Sequence, residues 1–129
     1  MNIHKQTLLP EWSLWPSRLV FIATTIFISQ QMLTSSPVSI SISVWDKFMH
    51  FGAWGLLVTL GYCSCRSQQH FIILSVNIFL YSVFIEILQP LVAQRFFDVG
   101  DILANGLGCL TAVLLVPTVD KWLAARIYR

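Results

Sequence analysis

Apolar residues of the chain fall into four long runs that short polar segments separate. The runs cover about residues 18–34, 46–65, 70–89 and 100–122. A helix needs roughly 20 mainly apolar residues to cross the hydrocarbon core of a bilayer, because it rises about 1.5 Å per residue. The pattern therefore predicts an all-α, polytopic membrane protein whose four transmembrane helices form a compact bundle.

The prolines and the polar segments predict where these helices begin and end. Pro16 suits the first turn of the first helix, where its missing N–H is not needed. Pro90 is expected to stop the third helix, because it cannot donate a hydrogen bond to the preceding turn. Between the first two helices, the Ser-Ile-Ser-Ile-Ser alternation at 39–43 can form a short extended piece. No internal repeat or linker is visible, so residues 1–129 are expected to form a single membrane domain.

The composition agrees with a membrane protein and excludes other classes. The chain is 56% hydrophobic and 11% charged, whereas soluble domains carry about 25% charged residues. Membrane lipids are therefore expected partners, and the absence of a basic run argues against nucleic acid. No small-x-small cleavage site follows the first run, which is expected to remain as an anchor. Cys63, Cys65 and Cys109 lack the further ligands of a zinc site and are expected to be apolar filler.

The basic residues predict the orientation of the helices. If every run crosses the membrane, both termini and the connection between the second and third helices lie on one side. That side carries Lys5, Arg18, Arg66, Lys121, Arg126 and Arg129, and the other carries only Lys47 and Arg95. The positive-inside rule then places both termini in the cytoplasm and makes the chain a multi-pass protein of the cytoplasmic (plasma or inner) membrane.

In this topology the polar residues of three helices meet at the extracytoplasmic end of the bundle. Asp46 and His50 share one helical face through their spacing of four, and so do Asp101 and Asn105. Ionisable residues inside apolar runs are costly and mark functional sites. The sequence therefore predicts a polar site open to the outside or to the outer leaflet. Its candidate ligand-binding residues are Asp46, Lys47, His50, Glu86, Gln89, Arg95, Asp98, Asp101 and Asn105.

Several of these residues also have purely structural explanations. Asp46 can cap the second helix, where the helix dipole favours an acid. Lys47 can be an interfacial anchor that snorkels to the headgroups. Asp101 can cap the fourth helix or form an ion pair with Arg95 across a tight loop.

The deeper polar residues are harder to assign to structure alone. His50 can be a satisfied core histidine, and Asn105 can join helices at a stripe of small residues formed by Ala104, Gly108 and Ala112. Glu86 lies furthest inside an apolar run and is the least easily explained by packing.

Three kinds of chemistry are open to this site. His50, Glu86 and Asp101 are the candidates for a divalent metal and for general acid–base catalysis, although no H-E-x-x-H or similar motif is present. Alternatively the site is a binding pocket in which Arg95 supplies a fork for a carboxylate or phosphate. The position of Arg95 beside outward-facing acids favours binding. Whether the protein is an enzyme, and whether it uses a metal, both stay open.

Three stretches of this region resemble the VanZ-like family of small bacterial membrane proteins. They are D-K-F-M-H-F-G-A-W at 46–54, E-I-L-Q at 86–89 and R-F-F-D-V-G-D-I-L-A-N-G-L-G at 95–108. The departures are Trp54 in place of a usual Tyr, Ala93-Gln94 before the arginine, and Ala112 in place of a later Gly. By resemblance the positions carried over are Asp46, Lys47, His50, Glu86, Gln89, Arg95, Asp101, Asn105 and Gly108.

The resemblance implies a role at the cell envelope, since the family's namesake is an accessory factor in resistance to glycopeptide antibiotics of the teicoplanin type. We therefore expect the protein to bind or handle a wall precursor, a lipid headgroup or a lipophilic antibiotic. The alternative is a membrane-embedded, metal-assisted hydrolase or transferase acting on a lipid-linked substrate. A weaker alternative is a structural membrane subunit.

Overall fold

The computed structural model describes residues 10–34, 44–93 and 95–127. These ranges hold four α-helices and no strand, which confirms the all-α prediction. A short 3-10 turn, Glu11–Ser13, leads into the first helix. The helices are α1 (Leu14–Leu33), α2 (Val44–Ser64), α3 (Gln68–Val92) and α4 (Val99–Ile127). The predicted extended piece at 39–43 lies outside the described residues.

Contacts at the two ends of the bundle show that successive helices alternate in direction. At one end, the Arg18 guanidinium at the start of α1 donates to the carbonyl of Ser64 at the end of α2. At the other end, the Gln89 amide of α3 donates to the carbonyl of Met32 on α1. The starts of α2 and α4 meet through Lys47, whose ammonium reaches carboxylates on and just before α4. The chain therefore runs up and down, with α2 and α4 parallel.

The largest contact between helices joins α2 and α4, and glycine makes it possible. A Cβ added to Gly108 would overlap the carbonyl oxygen of Phe51, so the two backbones approach at this point. One turn further along α2, a Cβ on Gly55 would lie 3.2 Å from the Gly108 carbonyl oxygen. The small-residue stripe predicted on α4 does lie at a buried helix contact, because Ala104, Gly108 and Ala112 are all buried.

Apolar side chains cover the outside of the bundle as well as its core. The core contains Trp54, Leu57, Phe71 and other buried residues, with Cys65 and Cys109 packed among them as expected. In contrast, large apolar side chains such as Phe84 and Leu107 are more than half exposed. Among the described residues, α3 and α4 are long and apolar enough to cross a membrane, with one third of the most apolar part of each buried. These two helices support the prediction that the chain is a membrane protein. The topology with four spans stays a prediction.

The end of α3 differs from its predicted bound because the helix continues past Pro90. The prediction that Pro90 ends the third helix is wrong, since α3 continues to Val92. Proline removes only its own N–H from the helical ladder, and the next turn is closed where the Ala93 N–H donates to the Gln89 carbonyl at 2.9 Å. Pro16 does lie in the first turn of α1 as predicted.

We predict that Gly108→Ala will destabilise the bundle and that Gly52→Ala will not. The new Cβ at Gly108 meets the Phe51 carbonyl, so the helices must separate at a cost of about 1–3 kcal/mol. At Gly52 nothing lies within 4 Å of an added Cβ, and alanine is favoured over glycine in a helix by about 1 kcal/mol. Thermal unfolding in detergent checks both variants. Equal stability of Gly108→Ala and Gly52→Ala would contradict the close backbone contact.

Candidate functional site

The predicted site residues converge at the end of the bundle where α2 and α4 begin and α3 ends. The group is called the polar cluster below. His50, Glu86, Asp101 and Asn105 form its buried centre, and ion pairs join the remaining members to one another or to the centre. The polar cluster consists of Asp46, Lys47, His50, Glu86, Arg95, Asp98, Asp101 and Asn105.

His50 is the hub of the polar cluster because its ring contacts groups on both α3 and α4. Its Nδ1 lies 3.0 Å from Asn105 Oδ1 in hydrogen-bonding geometry. The same nitrogen is 3.2 Å from Glu86 Oε1, an ion-pair distance without hydrogen-bond alignment. On the other side of the ring, Nε2 is 3.8 Å from Asp101 Oδ2. One histidine on α2 therefore faces an amide and two carboxylates from neighbouring helices.

Lys47 is held between two acids, whether or not it also anchors the helix at the membrane interface. Its ammonium donates to Asp98 Oδ2 at 2.6 Å and to Asp101 Oδ1 at 3.1 Å. Asp98 also accepts a hydrogen bond from the Gly100 N–H at 2.7 Å, so Asp98, and not Asp101, caps α4. The Lys47 ammonium and then the Gly100 N–H hold the pKa of the Asp98 carboxyl below its ordinary value.

Asp46 and Arg95 form the second ion pair of the polar cluster. The Arg95 Nη2 donates to both oxygens of Asp46, at 3.2 and 3.1 Å. Asp46 lies inside the first turn of α2, which begins at Val44. Its side chain faces Arg95 in the connection before α4. The suggested pairing of Arg95 with Asp101 is wrong, because Lys47 takes that acid. The Arg95 guanidinium therefore already binds a carboxylate of the protein. This contact argues against the prediction that it is available to bind an anionic ligand.

Several buried polar atoms of the site have no hydrogen-bond partner among the described residues. They include both carboxylate oxygens of Glu86, Nε2 of His50 and Nδ2 of Asn105. Two nearby side chains share this feature: the Oε1 of Gln89 and the indole N–H of Trp54, which lies one turn after His50 on α2. Gln89 otherwise turns toward α1 through its bond to the Met32 carbonyl. Buried polar atoms without partners are uncommon and call for an explanation such as a ligand.

The arrangement can also supply ligands to a metal ion. Asp46, His50 and Asp101 each offer one ligand atom, and these atoms lie within 4.8 Å of one another. The sequence named His50, Glu86 and Asp101 as metal candidates, so the geometry keeps two of them and exchanges Glu86 for Asp46. Glu86 instead faces Nδ1, the other ring nitrogen of His50.

Sequence reasoning missed the contacts that hold α2 against α4. Phe51 and Gly55 were not identified, although they form the α2 side of the close approach to Gly108. The signal was Gly55 itself, because a small residue inside an apolar helix lets a second helix approach closely. Trp54 was noted only as a departure from the family pattern, whereas it is fully buried below His50.

We predict that Lys47→Met will raise the pKa of Asp98 toward the ordinary aspartate value of about 3.9. In the wild type the lowered pKa stabilises the fold above that ordinary value, and the contribution disappears as the pH falls through the lower folded pKa. Carboxyl ¹³C NMR of Asp98 in detergent micelles measures the change. Lys121→Met, at the other end of α4, is the control and should leave the titration unaltered. An unchanged Asp98 titration in Lys47→Met contradicts the contact.

Comparison with known proteins supports the resemblance found in the sequence. A family model described as VanZ/LLP1 matches residues 3–120, a range that includes every residue of the polar cluster. No curated protein matches the chain, and no solved structure matches it either. Together with the two apolar helices, the family match indicates a membrane protein. The chain belongs to the VanZ/LLP1 family.

Proposed function

We propose that this protein is a four-span protein of the cytoplasmic membrane that binds the polar head group of a cell-envelope molecule in the polar cluster. Candidate ligands are a lipid-linked wall precursor, a phospholipid head group or a lipoglycopeptide antibiotic. The proposal rests on the buried, unpartnered polar atoms at one end of an otherwise apolar bundle.

The main observation in support of this proposal is the buried environment of the Glu86 carboxylate. Its side chain is fully buried, and neither oxygen accepts a hydrogen bond from the described residues. Burying a polar group without a hydrogen bond costs about 1–3 kcal/mol by protein mutational data. Selection for stability alone would favour an apolar residue at such a position. A ligand that donates to Glu86 explains why a carboxylate is there.

Charge distribution supports an extracytoplasmic location for the polar cluster. The opposite end of the bundle carries Arg18, Arg66, Lys121 and Arg126 among the described residues. The described residues at the end of the polar cluster include only two basic side chains, Lys47 and Arg95. The positive-inside rule then favours the cytoplasm for the basic end and for both termini.

A second candidate is a hydrolase or transferase that acts on a lipid-linked substrate. One observation favours it: Nδ1 of His50 lies 3.2 Å from Glu86 Oε1, so a carboxylate is in position to orient the ring. A histidine oriented in this way can act as a general base through its other nitrogen, Nε2. Conversion of the bound molecule would distinguish this candidate from simple binding.

Native mass spectrometry of the purified full chain tests the proposal. Detergent-solubilised protein is presented with phosphatidylglycerol, a polyprenyl phosphate and teicoplanin in turn, with phosphatidylcholine for comparison. We expect preferential retention of at least one of the first three. Glu86→Gln and His50→Gln should each reduce that retention by about tenfold or more, because they alter the unpartnered acceptors. Products of altered mass would favour the enzyme.

Tyr62→Phe provides a matched control at the other end of the bundle. It removes a buried hydroxyl that donates to Asp120 at 2.6 Å, which costs about 1 kcal/mol of stability. Its retention of the ligand should equal that of the wild type. No preference over phosphatidylcholine would contradict the proposal. So would unfolding of both site variants, because the polar cluster would then serve only to hold the bundle together.

A further inference from the structure

We propose that the polar cluster holds one divalent transition-metal ion, ligated by His50, Asp101 and Asp46. The inference rests on the function proposed above, since it names the ion through which the same site would take an anionic head group. It is carried by three independent features: the spacing of the ligand atoms, the partners behind each ligand and the charge of the polar cluster.

The contact between His50 and Asp101 has the spacing of two ligands on one ion. With the Nδ1 proton directed at Asn105, the neutral ring presents a lone pair at Nε2. That lone pair faces the Asp101 Oδ2 acceptor at 3.8 Å, and Nε2 has no hydrogen-bond partner. Two acceptors facing each other in a buried site repel unless a positive group lies between them. Metal bonds to nitrogen and carboxylate oxygen are about 2.0–2.2 Å each, so one ion can reach both atoms.

Asp46 completes a set of three ligand atoms. Its carboxylate oxygen lies within 4.8 Å of the atoms offered by His50 and Asp101. The set comes from the first two turns of α2 and the first turn of α4. Those two helices are fixed against each other at Gly108, so the ligands are mounted on a rigid contact. Three protein ligands leave further coordination positions for water or for an oxygen of a bound molecule.

Each of the three ligands also has the kind of partner that metal ligands require. Ligating histidines donate their other ring N–H to a carboxylate, a carbonyl or water, and His50 Nδ1 makes this contact with the side-chain carbonyl oxygen of Asn105. Ligating carboxylates are themselves hydrogen-bonded. Asp101 accepts from Lys47 at 3.1 Å, and Asp46 accepts from Arg95. Each of the three ligands is therefore held by another side chain of the polar cluster.

The formal charge of the polar cluster fits a divalent cation. Its four carboxylates face one lysine and one arginine, which leaves two negative charges when His50 is neutral. A single divalent ion cancels this excess. Imidazole ligation favours Zn²⁺, with Mn²⁺ also suited to the carboxylates, whereas Mg²⁺ and Ca²⁺ prefer all-oxygen sites.

Metal content of the full chain tests the inference. The protein is purified in detergent without a polyhistidine tag, stripped with a chelator and dialysed against Zn²⁺ or Mn²⁺. We expect close to one bound ion per chain by elemental mass spectrometry. In the Mn²⁺ form, electron spin-echo measurements should show coupling to one imidazole nitrogen. His50→Gln and Asp101→Asn should each weaken binding by at least about tenfold.

Two variants control for nonspecific binding. Asp120→Asn removes an acid at the end of α4 that is remote from the polar cluster, where it accepts from Tyr62, and His70→Gln removes an exposed histidine at the start of α3. Both should bind the ion as the wild type does. If a site variant fails to fold, Asp46→Asn replaces it, because that side chain is 42% exposed and tolerates substitution more readily.

The outcomes separate this inference from the proposed function. No bound ion, no nitrogen coupling, or equal loss in His70→Gln and His50→Gln overturns the metal site. Nanodiscs of phosphatidylglycerol and of phosphatidylcholine are then compared with and without Mn²⁺. A bound ion without any head-group preference leaves the metal site standing and argues against the proposed function. If the chelator leaves a head-group preference unchanged, the result supports the proposed function. It also overturns the inference that the metal ion joins the head group to the protein.

Discussion

The close approach of α2 and α4 at Gly108 determines where the polar-cluster groups of these two helices lie. Because the Phe51 carbonyl occupies the space of a Gly108 side chain, the two helices cannot rotate or slide far without collision. His50 lies one residue before Phe51, and Asn105 lies one turn before Gly108. Their contact at 3.0 Å follows from that register. A packing contact between backbones thus controls the distances on which binding or catalysis would depend.

The outer part of the polar cluster is organised by ion pairs that divide its charges between two groups. Lys47 links Asp98 to Asp101, and Arg95 holds Asp46. Surface ion pairs contribute little stability on their own, so their main effect here is orientation. They hold the carboxylates of Asp46 and Asp101 beside His50. The two ion pairs therefore fix the positions of two acids next to the histidine.

The sequence predicted the helices and their convergence, because both follow from hydrophobic run length and alternating direction. The polar ends of α2, α3 and α4 had to meet once the runs were identified. The pairing of charges was not predictable in the same way. Arg95 is nearer in sequence to Asp101 than to Asp46, yet it pairs with Asp46. Pairing depends on the rotation of each helix about its axis, which the α2–α4 contact sets and periodicity does not.

The predicted ends of the helices were inaccurate for a similar reason, because each was inferred from a single residue. Pro90 interrupts one hydrogen bond, but the packing of Ile85 and Gln89 in the core keeps α3 in place on either side of it. Asp98 was the better cap for α4 than Asp101 because it directly precedes the first helical residue, Val99. In both cases the position of the residue relative to the neighbouring turn decided the result.

The central claim is that the polar cluster is maintained for binding at the expense of stability. The most direct test is the unfolding midpoint of Glu86→Met, measured in metal-free detergent solution beside the wild type. Methionine has a similar volume and no polar atoms to bury, and both Glu86 oxygens lack hydrogen bonds among the described residues. The account predicts that the variant is as stable as the wild type or more so. A midpoint many degrees lower would show that Glu86 holds the bundle together, and would contradict the account.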